Sequence, residues 1–290
     1  MNMKHCFIHL KGVSEELEST LFSNNIYSWD DLIEHISQDV TTNILHKNSF
    51  SISNEDKEEL SSDIQLLNSC NTTSYQVKKQ EPIIPSKFHN DIINQIQESK
   101  EALEKKNWNY FTKKLLSKYH YKLLPLTNST AYVDIETTGL SREYHYITTI
   151  GIYDGKSSHI YVRGIDLEDA FLELEKYDVI VTFNGKQFDM PFIEHTCNKK
   201  FECVHLDLRF MLKELGLSGG LKRIERELGL QRDEEVAQID GFFAVELWKR
   251  YQRGDDNALE LLKKYNIEDI ENLEVLLYWY LSQKEYILNN

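Results

Sequence analysis

Residues 178–183 read Asp-Val-Ile-Val-Thr-Phe, an almost unbroken apolar run rich in β-branched side chains. A strand without polar alternation is one that is covered on both faces. Such a strand calls for helices on either side of a sheet, which points to an α/β domain. Three further runs fit the same sheet: AYVDIE (131–136), ITTIGIYD (147–154) and SSHIYVRG (157–164), with Asp154-Gly155 as a hairpin signal between the last two. Helical patterning predicts helices over 167–176, 191–197, 206–215, 220–228, 242–251 and 257–284.

At roughly 150 residues per domain, 290 residues suggest two domains. The α/β texture begins after Pro125, so the main domain is assigned to 126–290. Ahead of it, residues 1–40 read as a small helical module with helices near 15–24 and 29–37. Residues 41–85 form a polar linker, and 86–125 a basic helical segment. Apolar residues at 41% and charged residues at 28% exclude a wholly disordered chain. Lys and Arg total 33 against 47 Asp and Glu, and the resulting −14 argues against broad, non-specific binding to nucleic acid. The charge is uneven, however: residues 74–122 carry 10 basic and 5 acidic side chains, a local +5.

Cys6, Cys70, Cys197 and Cys203 contain no CxxC pair and lack partners at zinc-site spacing, so they are expected to be free thiols in a reducing compartment. No stretch is apolar enough for a signal peptide or a membrane span, so a cytoplasmic location without membrane contact is expected.

Three places carry chemistry. Asp134 and Glu136 flank Ile135 near the end of the first strand, where alternation aims both carboxylates to one side. Adjacent carboxylates repel unless a cation sits between them, and hard oxygen ligands at that spacing suit Mg²⁺ or Mn²⁺. The alternative is a solvated strand end before a Thr-Thr-Gly turn. On the last helix, Leu262, Tyr265, Asp269, Leu273, Leu276 and Tyr280 form one stripe, so Asp269 faces inward. An inward carboxylate needs a metal, or an arginine or helix N-terminus to take it up. Tyr265 lies one turn earlier on the same face. Asp189, in NGKQFDMPF (184–192), either joins this acidic group or caps the helix that Pro191 begins.

Asp134-x-Glu136 in DIETTGL, Asp189 in FNGKQFDMPF and Tyr265-x-x-x-Asp269 in YNIED resemble, in order, the three motifs of DEDD-type 3′→5′ exonucleases. The tyrosine is similar to the DEDDy branch. The flanking IGIYDG, HLDLRF, GGLKRIE and DGFFAVELWKRY look most like the YprB-like family. Over about 130–285 the resemblance implies a ribonuclease H-like fold, a mixed five-stranded sheet flanked by helices. It also implies a two-metal mechanism with two Mg²⁺ or Mn²⁺ ions. Asp134, Glu136 and Asp269 would hold one ion, which activates a water. Asp134 would bridge to a second ion that offsets charge on the leaving 3′ oxygen. Asp189 would complete the cage through water, and Tyr265 would orient the nucleophile. Thr137, Asn184 and Lys186 are candidates to touch the substrate backbone, whereas Asp207 and Arg209 read as structural.

Residues 9–35 resemble a helix-hairpin-helix in which Gly12-Val13-Ser14 stands for the Gly-x-Gly turn. The implied substrate is single-stranded DNA or RNA, with Lys-rich 105–122 as a guide for the strand and a protein partner to deliver it. The competing readings are a non-catalytic nucleic-acid-binding or scaffold protein, and an endonuclease with the same metal centre.

Overall fold

The computed structural model describes residues 6–49, 82–237, 239 and 241–289. The chain divides into two compact units, Met1–Glu101 and Ala102–Asn290.

The first unit is helical. Helix α1 (Glu15–Ser23) starts where the Ser14 hydroxyl accepts from the Leu17 amide at 3.2 Å. Glu18, within its first turn, is buried and accepts the Phe7 amide at 2.8 Å. Helix α2 (Trp29–Ser49) buries Trp29, whose indole donates to the Cys6 carbonyl at 3.0 Å. This helix runs past residue 37 into the stretch expected as linker. The rest of that stretch through residue 81, with Cys70, lies outside the described residues. Helix α3 (His89–Glu104) brings Ser99 to within 2.9 Å of His9 Nε2 and Gln95 to the Lys11 amide at 2.7 Å.

The second unit opens with helix α4 (Trp108–Lys114) and a 3₁₀ segment (Ser117–Leu126). Part of the basic segment is committed structurally: Lys106 Nζ and Trp108 Nε1 both donate to buried Asp178, at 3.2 and 3.1 Å. The sheet follows as β1 (Thr130–Thr137), β2 (Ile147–Tyr153), β3 (Ser158–Val162), β4 (Val179–Thr182) and β5 (Val204–Asp207). Its order is β3-β2-β1-β4-β5; β2 lies antiparallel to β1 and β3, and β4 parallel to β1 and β5. The mixed five-stranded sheet flanked by helices is therefore as expected. All four residues of β4 are buried, as its apolar run requires.

The fifth strand lies partly where a helix was expected. Instead of helix over 206–215, the chain forms β5 and passes directly into helix α7 (Leu208–Glu214), with Asp207 as its N-cap. Helices α5 (Leu167–Leu174) and α6 (Asp189–Cys197) contribute Leu167, Ala170, Phe192 and Ile193 to one core, against Val133, Ile135 and Ile150 of the sheet. Helices α8 (Leu221–Glu227), α9 (Gly241–Tyr251) and α10 (Asp256–Asn289) complete the unit. Leu247 and Trp248 of α9 and Leu262 and Ile270 of α10 share a second core with Ile160 and Val162 of β3. Among the described residues, no helix is long and apolar enough to cross a membrane.

Gly151 shows how closely α10 approaches the sheet. A Cβ on it would lie 2.9 Å from Asn266 Oδ1 and 3.0 Å from Ile270 Cγ2. Gly151→Val should therefore overpack this contact and cost about 1–3 kcal/mol. The check is a lower urea midpoint at unchanged slope; an unaltered midpoint would contradict the close approach.

Candidate metal centre

Asp134 and Glu136 leave the same side of β1, because Val133 and Ile135 take the other side into the α5/α6 core. Opposite them in register stand Gly151 and Thr149 of β2, both small, which leaves room for α10. The inward stripe of α10 then delivers Asp269. One oxygen from each of Asp134, Glu136 and Asp269 lies within 4.8 Å of the other two. Glu136 and Asp269 are 9% and 4% exposed, so the cluster is not a chance meeting of solvated acids.

Asp189 is also buried, and its Oδ1 accepts the Ile135 amide, between Asp134 and Glu136, at 3.2 Å. It does not cap α6: Phe188 stands at the cap position, and Asp189 begins the helix. The carboxylate is bonded to the backbone of β1. Asp207 fixes the loop ahead of it, accepting the Asn184 amide at 2.8 Å and the Lys186 amide at 2.9 Å. Asn184 adopts a left-handed conformation, φ 69°, and its side chain accepts from Arg209 Nη1 at 2.6 Å. The Thr137 hydroxyl donates to the Gly139 carbonyl at 2.8 Å. These bonds give Asn184 and Thr137 work in shaping their loops, and Asp207 and Arg209 the structural role expected of them.

Electrostatics follow from this crowding. Burial, then the charges of Asp269, Asp189 and Glu136, push the Asp134 carboxyl well above the usual range. Burial, Asp269 and Asp189 do the same to Glu136. Asp189 is pushed to about 7, by burial first and then by Asp207 and Asp269. Burial also raises Asp269, although Arg232 pulls the other way. Tyr265, 7% exposed, lies one turn before Asp269; burial, then the charges of Asp269, Glu136 and Asp134, hold its phenol far above the ordinary value.

Sequence reasoning missed four residues here. Asn266, fully buried, donates to Asp134 Oδ2 at 2.8 Å and accepts from Thr149 Oγ1 at 3.2 Å. Arg232 Nε and Nη2 donate to Glu225, each at 2.7 Å, and Nη2 also donates to Asp269 Oδ1. Lys222 Nζ lies 4.8 Å from the centre of the Tyr265 ring. Asp269 thus has an arginine partner, one of the alternatives open from sequence, and a place in the acidic cluster as well. Only Asn266, beside Tyr265 on the same helix, had a positional signal. Arg232 lies in a loop with no spacing relation to Asp269.

The donor set fits divalent cations. Every ligand is a hard oxygen. With Asp134, Glu136, Asp189, Asp269 and Glu225 ionised, five negative charges face two positive ones, Arg232 and Lys222, which leaves three uncompensated. One dication would offset two of those charges, and a second would cover the third.

A family model described as RNase_H superfamily (RNase_H_2) matches residues 131–281. No curated protein matches the chain. Among solved structures, the family B DNA polymerase of Pyrobaculum calidifontis is similar at 16% identity and a TM-score of 0.43, covering 54% of this chain. The likeness spans 24% of the polymerase, about a quarter of its length. NrnC of Brucella melitensis, with bound Mg²⁺, is similar at 17% identity and a TM-score of 0.39, over 54% of this chain and 74% of its own.

Proposed function

The chain belongs to the RNase_H superfamily, matching its model over 131–281, and from that premise we propose that it is a metal-dependent 3′→5′ exonuclease of the DEDDy, YprB-like kind. It hydrolyses phosphodiester bonds of single-stranded DNA or RNA. The observation that carries this reading is the convergence of Asp134, Glu136 and Asp269 within 4.8 Å, with Tyr265 buried one turn before Asp269 on the same helix. A surface built only to bind nucleic acid would gain nothing from buried acids that repel phosphate.

Asp134, Glu136 and Asp269 would hold the ions, and Asp189, anchored to the Ile135 amide of β1, would complete the acidic set. When bound, the two ions supply the positive charge that activates an attacking water and offsets charge on the leaving 3′ oxygen. The Tyr265 phenol stays protonated, so it orients the nucleophile by hydrogen bonding and does not remove its proton. Asn266 holds Asp134 through Oδ2. Thr137, the last residue of β1, and Asn184 and Lys186, in the loop after β4, contact the substrate backbone.

The experiment is incubation of 5′-labelled single-stranded DNA and RNA with Mn²⁺ or EDTA, alongside circular single-stranded DNA. A ladder shortening from the 3′ end, abolished by EDTA, with the circle intact, is the expected result. Cutting of the circle would favour an endonuclease, and tight binding without products a binding protein.

A further inference from the structure

We propose that Arg232 is a positioning residue that clamps Asp269 for metal binding, an inference that rests on the metal-dependent reading above. Arg232 lies between α8 and α9 with its side chain only 5% exposed. Its Nε and Nη2 donate to the two oxygens of Glu225 at 2.7 Å each, a fork-to-fork arrangement. Glu225, 1% exposed, also accepts Asn272 Nδ2 at 2.9 Å, so its orientation is fixed from α10. The guanidinium is neutralised by Glu225, yet Nη2 reaches further, to Asp269 Oδ1. That bond adds nothing to the charge balance of the Arg–Glu pair. It fixes one oxygen of a carboxylate that belongs to the acidic cluster. Asp134 is held in the same one-sided way, through Oδ2 by Asn266.

A planar guanidinium specifies two acceptor directions at once, which an ammonium cannot do. Buried ion pairs exchange for apolar side chains at little cost in stability, so the trio's consequence belongs in metal affinity more than in folding.

The test compares Mn²⁺ binding to the full chain, followed by the EPR signal of the free ion, for the parent, Arg232→Lys and the double variant Glu225→Met/Arg232→Met. The double variant leaves no buried charge of the pair behind, and so serves where Arg232→Lys fails to fold. Both variants should fold and bind Mn²⁺ roughly 10–100-fold more weakly. Turnover should fall while KM for the oligonucleotide stays near the parent's, and excess Mn²⁺ should restore part of the rate of Arg232→Lys. A folded variant binding Mn²⁺ as tightly as the parent, or tighter, would overturn the clamp. So would failure of both variants to fold, which makes the trio a structural ion pair. A parent chain that binds no Mn²⁺ overturns the clamp and the nuclease reading together. A parent that binds Mn²⁺ but cuts neither DNA nor RNA overturns the nuclease reading alone, and the binding comparison still decides the clamp.

Discussion

Replacing Asp134 by asparagine should lower Mn²⁺-dependent hydrolysis by roughly a thousand-fold or more, about 4 kcal/mol of transition-state stabilisation. The metal-free protein should be at least as stable as the parent. The substitution keeps the shape of the side chain and an oxygen to accept from Asn266 Nδ2. What it removes is a negative charge that burial, Asp269, Asp189 and Glu136 all disfavour. Removing a group that opposes folding when ionised cannot by itself unfold the domain, so the two readouts separate chemistry from structure. Turnover of a labelled oligonucleotide and the melting temperature in EDTA at pH 8 check them together. Activity within tenfold of the parent would sink the assignment of Asp134. Lost activity with a markedly lower melting temperature would mean that this carboxylate holds the fold instead.

The residues that make this prediction possible were legible because they obey short-range periodicities. Alternation along β1 puts Asp134 and Glu136 on one face, and the 3–4 spacing of α10 puts Asp269 and Tyr265 in its inward stripe. Neither depends on knowing what lies opposite. The four-residue β5 was not legible, because Val204, Leu206, Leu208, Met211 and Leu212 pass from strand to helix with no Gly or Pro between them. Its identity as a strand comes from pairing with β4, a partner more than 20 residues away. Asp189 shows the same limit: its local pattern fits a helix cap, but the Ile135 amide of β1 takes the carboxylate. Arg232 is the extreme case, since a loop residue 37 positions from Asp269 acquires its partner only through the packing of α8 and α10.

Divalent metal should stabilise the protein strongly at pH 8 and weakly at pH 5. Asp134, Glu136, Asp189 and Asp269 all have raised values in the folded state, Asp189 to about 7. Below about pH 4 these groups are protonated in both states and contribute no penalty. Between about pH 4 and 7 the folded state binds more protons than the unfolded, so stability falls as pH rises through that window. The fall is a cost of gathering acids without their cation. Other carboxylates oppose the trend: Asp178, whose value is lowered by the Asn128 amide, Lys106 and Trp108 despite its burial, contributes stability above its unfolded value that is lost toward low pH. The telling quantity is therefore the difference between Mn²⁺ and EDTA at each pH. At 100 times its Kd, Mn²⁺ should add about 2.7 kcal/mol, or roughly 5–10 °C for a domain of this size. At pH 5 protons compete for the same oxygens, and the difference should shrink to a small fraction of that. An equal shift at both pH values would place the ion at groups that do not titrate in this range. No shift at pH 8 would mean that Arg232 and Lys222 suffice, and that the acids are assembled for something other than a metal.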